Sequence, residues 1–130
     1  MLKIENYRTN TALVQVLWLL AMAATIVGEL LPGNSAVMRL VAATHINDKV
    51  LHFSAYALLA FIPVFGFKLR HGIPLALSMI LLGVALEFAQ RLVPSRSYEV
   101  ADMVANALGV FTGIALALVA RQAWRPVVES

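Results

Sequence analysis

Four blocks along the chain are almost uninterrupted in apolar residues, at about 11–31, 50–67, 73–90 and 102–120. Each approaches the ~20 residues that an α-helix needs to cross a ~30 Å hydrocarbon core at ~1.5 Å per residue. The pattern predicts an all-α, polytopic membrane protein with four transmembrane helices. Helix-breaking and polar stretches separate the blocks: Pro32-Gly33-Asn34, then Lys68-Leu69-Arg70-His71-Gly72, then Arg91 to Ala101 with Pro94 inside it. Residues 35–43 read as a short interfacial helix after the first span, capped by Asn34. The first block follows Lys3 and Arg8, and Ala21-Met22-Ala23 is faintly like a signal-peptidase site. Its apolar run continues to Leu31, too long for a signal sequence, so it is read as an anchor.

Composition agrees. The 130 residues are 61% hydrophobic and 13% charged, against about 45–50% and 25% in soluble domains. Disorder is excluded, and a soluble core of this size has no room for so much apolar surface. The length allows one domain, residues 1–130. A net charge of +3 suggests no nucleic-acid partner, because the ten Lys and Arg fall in short runs between apolar blocks. With no cysteine, disulfides, Cys-based zinc sites and thiol nucleophiles are excluded.

Four spans put both termini and the 68–72 loop on one side, with Lys3, Arg8, Lys68, Arg70, Arg121 and Arg125. The other side holds Arg39, Lys49, Arg91 and Arg96 beside Glu29, Asp48, Glu99 and Asp102. Lys and Arg favour the cytoplasmic side, so termini and the 68–72 loop are expected inside and the 32–49 and 91–101 loops outside.

Polar residues within spans are costly and therefore informative. They gather at one end: Lys49, His52 and Tyr56 on the second span, Glu87, Gln90 and Arg91 on the third, Asp102 and Asn106 on the fourth. Asp102, Asn106, Gly109 and Gly113 make a narrow stripe at ~100° per residue, and Gly83, Glu87, Gln90 and Arg91 make a second. Small residues permit close helix approach, so Gly109 and Gly113 are candidates for a homo-oligomer or a partner helix. The polar residues then line an outward-opening pocket. Glu87 reads in two ways: a buried carboxylate paired with Arg91 or Arg96, or an acid/base tuned by burial. Asn106 reads as a helix-bridging group. Glu29 is expected to be solvated, and Trp18 and Tyr98 receive no role.

Walker, GxGxxG and HExxH patterns do not occur. His45, Asp48, His52, Glu87 and Asp102 could gather a metal, but no helical ligand pair recurs on a second helix, so no metal and no cofactor are assigned. The serines have no nucleophile-elbow context.

Three segments together resemble the VanZ-like family of small bacterial membrane proteins. They are Asp48-Lys49-Val50-Leu51-His52-Phe53-Ser54-Ala55-Tyr56, then Glu87-Phe88-Ala89-Gln90 with Pro94-Ser95-Arg96, then Asp102, Asn106, Gly109 and Gly113. The resemblance covers about residues 45–115. It implies a four-helix fold in the bacterial cytoplasmic membrane and a link to glycopeptide, chiefly teicoplanin, resistance. It supplies no settled reaction.

The leading expectation is a cell-envelope protein whose pocket binds, and in its stronger form modifies, an amphiphile: a lipid-linked cell-wall precursor, a phospholipid or the tail of a lipoglycopeptide. Arg91 and Arg96, with Lys49, would meet a phosphate or carboxylate. Glu87 or Asp102 would serve as acid/base with His52, and Tyr56, Gln90 and Asn106 would orient the substrate. The alternatives are a scaffold for envelope enzymes and a small dimeric transporter.

Overall fold

The computed structural model describes residues 11–96 and 98–129, with side chains as far as Trp124. Lys3, Arg8 and the Arg125 side chain, which entered the charge count above, lie outside the described residues. Five α-helices follow in order: α1 (Thr11–Leu30), α2 (Ala36–Ala43), α3 (Asp48–Gly66), α4 (Leu69–Ala89) and α5 (Val100–Glu129). A short 3-10 turn, Gln90–Leu92, extends α4. All but α2 are long and apolar enough to cross a membrane.

Two boundaries differ from the sequence reading. Lys68 to Gly72 is no loop: α4 begins at Leu69, and Phe67 and Lys68 alone connect it to α3. The turn can be this tight because Gly72 has no side chain to meet the Pro63 backbone carbonyl packed against it. The short helix α2 is capped by Ser35, not by Asn34; Ser35 Oγ accepts from Met38 N at 3.3 Å.

The helices pack around α3. Tyr56, Leu59, Ala60 and Val64 of α3 form the buried cluster with Ala76 and Met79 of α4 and Val110 and Ala117 of α5. The most extensive contact is between α3 and α5, where Gly109 lies on the Phe53 carbonyl and Gly113 on the Ala57 carbonyl. Small residues let helix backbones meet in this way, which is the main source of packing energy where water drives nothing. The glycine face expected to receive a partner helix is therefore taken up inside the chain. Leucines such as Leu20, Leu81 and Leu92 point outward, as lipid-facing residues do.

Broken helical hydrogen bonds are closed by side chains from elsewhere. Pro63 lies inside α3 and has no N–H for the Leu59 carbonyl one turn earlier. Trp18 Nε1 of α1 donates to that oxygen at 2.8 Å. At the end of α3, Arg121 Nη1 donates to the carbonyls of Val64, Phe65 and Phe67 at 3.0, 3.1 and 2.8 Å. A cation there satisfies orphan carbonyls and complements the helix dipole. Arg121 and Trp18 thus hold α3 to its two flanking spans.

Candidate functional site

Every buried polar residue that the sequence singled out lies at the same end of the bundle, where α1 ends, α3 begins, α4 ends and α5 begins. His52 is at its centre. Its Nδ1 lies 3.0 Å from Asn106 Oδ1 and 3.2 Å from Glu29 Oε1. Both neighbours are acceptors, so Nδ1 is the donating nitrogen. Nε2 faces the other way, 3.7 Å from Asp48 Oδ2 and 3.6 Å from Asp102 Oδ2. Tyr56, one turn deeper, donates its hydroxyl to Glu29 Oε2 at 3.2 Å.

Glu29 is the residue the sequence reading misplaced. It is 9% exposed rather than solvated, and it joins three helices: besides His52 and Tyr56, its backbone carbonyl accepts from Gln90 Nε2 at 2.8 Å. One signal was available, since a carboxylate within the last turn of an apolar block is costly unless partnered. The 3.6-residue pattern of α1 carried no further hint, because that helix is apolar on all faces.

Lys49 closes the outer edge. Its Nζ is 2.7 Å from Asp102 Oδ1 and 3.7 Å from Asp48 Oδ2, and it also bonds Glu99. Glu87 is almost fully buried and accepts from the Glu99 backbone N–H at 2.9 Å through Oε1. Its Oε2 and Asn106 Nδ2 have no hydrogen-bond partner among the described residues. Gly83 makes room there: a side chain on it would press on Asn106 Nδ2 and Tyr56.

The two arginines are not where the spacing put them. Neither pairs with Glu87 or Asp102 among the described residues. Arg91 is exposed and lies over the rings of Phe88 and Tyr98, 4.8 and 4.0 Å from their centroids. Just past the α4 end, its side chain is carried outward by the 3-10 turn. Arg96 instead closes the carbonyl end of α1, donating from Nε to Leu31 O at 2.8 Å and from Nη2 to Gly28 O at 2.6 Å. Pro32 and the helix end leave those carbonyls without helical donors. The turn that delivers Arg96 runs from Val93, with Arg96 N donating back to Val93 O at 3.3 Å. Pro94 suits its second position, and Ser95 takes a left-handed φ of 62° at its third.

Beside this network is a cavity of about 300 Å³ between α1, α2 and α3. Ala24, Thr25, Val41, Leu51 and Ala55 form its wall, and Glu29, Asp48, His52 and Arg96 form its polar end. Glu87, Gln90, Asp102 and Asn106 stand behind His52 and do not line it.

A metal was set aside from sequence because no ligand pair recurs on a second helix. The fold brings one together from two helices: ligand atoms of Asp48, His52 and Asp102 lie within 4.8 Å of one another.

Four apolar spans packed around a central helix, with their buried polar groups confined to one end, define a multi-pass helical membrane protein. A family model described as VanZ/LLP1 matches residues 7–121, and the chain belongs to this VanZ-like family. No curated protein and no solved structure matches the chain.

Proposed function

We propose that the protein binds a phosphate-bearing lipid of the bacterial envelope, such as a lipid-linked cell-wall precursor or a phospholipid, in the cavity between α1, α2 and α3. The cavity carries this reading. An apolar wall ending in a few convergent polar groups suits an amphiphile, the tail along Ala24, Leu51 and Ala55 and the headgroup at His52 and Arg96. His52 and Glu29 belong both to the buried network and to the cavity lining. The His52 ring is placed to meet a bound headgroup, with Glu29 and Asn106 holding it. Glu87 and Asp102 stand behind His52 as supports rather than as groups that touch substrate.

The same reading puts the chain in the bacterial cytoplasmic membrane, both termini inside and the polar end outward, where envelope lipids and glycopeptides such as teicoplanin meet. A transporter is less well supported, because the middle of the bundle is filled by Leu59, Ala60 and Val64 rather than by polar groups. A scaffold built on Gly109 and Gly113 is less well supported too, since α3 covers them.

Gly28 offers a clean test. It lines the cavity, and a Cβ on it meets nothing within 4 Å. Gly28→Leu should fold as the wild type and fill the space. Lipids extracted from the purified proteins and identified by mass spectrometry should include a phosphate-bearing species at about one per chain in the wild type, depleted in Gly28→Leu. Equal retention by both proteins would count against the cavity.

A further inference from the structure

We propose that Asp48, His52 and Asp102 form a binding site for one divalent cation of the Mn2+ or Zn2+ class. The His52 ring supplies the first argument. Its Nδ1 is committed to Asn106 and Glu29, both acceptors, so whenever the ring is neutral Nε2 carries the lone pair. The His52 side chain is 7% exposed, and Nε2 makes no hydrogen bond among the described residues. It points instead at two carboxylate oxygens, Asp48 Oδ2 at 3.7 Å and Asp102 Oδ2 at 3.6 Å. Lys49 Nζ touches both carboxylates from outside, 2.7 Å from Asp102 Oδ1 and 3.7 Å from Asp48 Oδ2, and an ion among the three acceptors would add positive charge where they face one another.

The spacing fits an ion. These contacts are too long for hydrogen bonds. Metal–ligand bonds of ~2.0–2.2 Å set neighbouring donor atoms about 3–3.5 Å apart, so the His52 contacts need only a small contraction, and the two carboxylates, whose oxygens lie within 4.8 Å of each other, close the rest. Asp48 can make that adjustment, because its side chain is 56% exposed. Asp102 is held with Oδ1 on Lys49 at 2.7 Å, which leaves Oδ2 for the ion. One imidazole and two carboxylates suit Mn2+ or Zn2+ better than a soft metal.

The surroundings match what metal-binding histidines need. A ligating imidazole commonly donates its other N–H to a carboxylate or carbonyl, which fixes the ring and raises its basicity. Glu29 and Asn106 do this for His52. Carboxylates are plentiful here: Glu29, Asp48, Glu87, Glu99 and Asp102 share this end with Lys49, Arg91 and Arg96, Arg91 lying over two aromatic rings and Arg96 donating to the Leu31 and Gly28 carbonyls and Met38 Sδ. Asp48 and His52 also line the cavity, so the remaining coordination positions of an ion there would open toward it. The site needs no lipid in the cavity and stands or falls apart from the lipid reading.

The test is a titration of purified, EDTA-treated and desalted protein in detergent with MnCl2, free Mn2+ being followed by electron paramagnetic resonance. The wild type should bind about one Mn2+ per chain, displaced by ZnCl2. Asp48→Asn and His52→Gln should each weaken binding by about tenfold or more. The exposed position of Asp48 means that Asp48→Asn keeps its metal-free melting temperature, so this variant decides the matter if His52→Gln fails to fold. Added Mn2+ should raise the melting temperature of the wild type and not that of Asp48→Asn. Absence of saturable Mn2+ and Zn2+ binding by the wild type, or wild-type affinity in Asp48→Asn, would overturn the proposal.

Discussion

Glu29 Oε1 stands 3.2 Å from His52 Nδ1, joining the last turn of α1 to the second turn of α3. The span that buries the least of itself is thereby tied to the centre of the polar network. The Tyr56 hydroxyl meets the other oxygen of the same carboxylate.

This arrangement makes Glu29 and Tyr56 energetically coupled. A hydrogen bond to a charged group contributes about 1.5–3 kcal/mol, and a buried donor left alone costs about 1–3 kcal/mol. Glu29→Ala should lower stability strongly, and Tyr56→Phe by less. The loss in the double variant should fall short of the sum by about 1 kcal/mol or more, because the phenylalanine ring leaves no hydroxyl unpaired. Unfolding of the four proteins in detergent checks this; strict additivity would contradict the bond.

Trp18 and Pro63 should be coupled through the Leu59 carbonyl. Trp18→Phe removes its only side-chain donor and should cost about 1 kcal/mol beyond the small change in packing. In a Pro63→Ala background, residue 63 regains an N–H for the same oxygen, and the cost of Trp18→Phe should shrink. Equal costs in both backgrounds would show that the indole N–H adds nothing there.

Ser95 holds a left-handed backbone that L side chains adopt at some cost, and more so when β-branched. Ser95→Val should lower the melting temperature and loosen Arg96 from the end of α1. Ser95→Gly should match or exceed the wild type. The reverse order in thermal unfolding would refute the strain.

The distribution of Lys and Arg predicts Arg70 inside and the 32–49 loop outside. The chain has no cysteine, so Arg70→Cys and Asn34→Cys each carry one thiol, both at exposed positions. An impermeant maleimide applied to intact cells should label position 34 and spare position 70. Labelling at 70 alone would invert the topology.

The four spans were legible in the sequence because crossing a bilayer imposes long apolar blocks that few other structures share. The layer made by His52, Tyr56, Glu87, Asp102 and Asn106 was legible too, since 3.6-residue periodicity fixes which face a residue occupies. What periodicity leaves open is which face meets which helix. The Gly109–Gly113 stripe was correctly a close-packing face, but only the fold reveals that α3 fills it. The pairing of Glu87 with Arg91 or Arg96 is not found for a related reason: the arginine directions depend on a 3-10 turn and on the left-handed Ser95, and charge alone favoured the nearest carboxylate. Glu29 escaped notice because its partners lie on α3, 23 and 27 residues further along the chain.

The central claim is that a phosphate headgroup and an apolar tail are read together in one cavity. Delipidated protein titrated with a phosphate-bearing lipid, and with the phosphate-free lipid of identical tails, measures this directly. Binding of the phosphate-bearing lipid should be saturable and one-to-one, about tenfold or more tighter than that of its neutral counterpart, a difference of about 1.4 kcal/mol or more. His52→Ala should erase that difference, and Gly28→Leu should abolish binding of both lipids. Equal affinity for the two lipids, or binding untouched by Gly28→Leu, would contradict it.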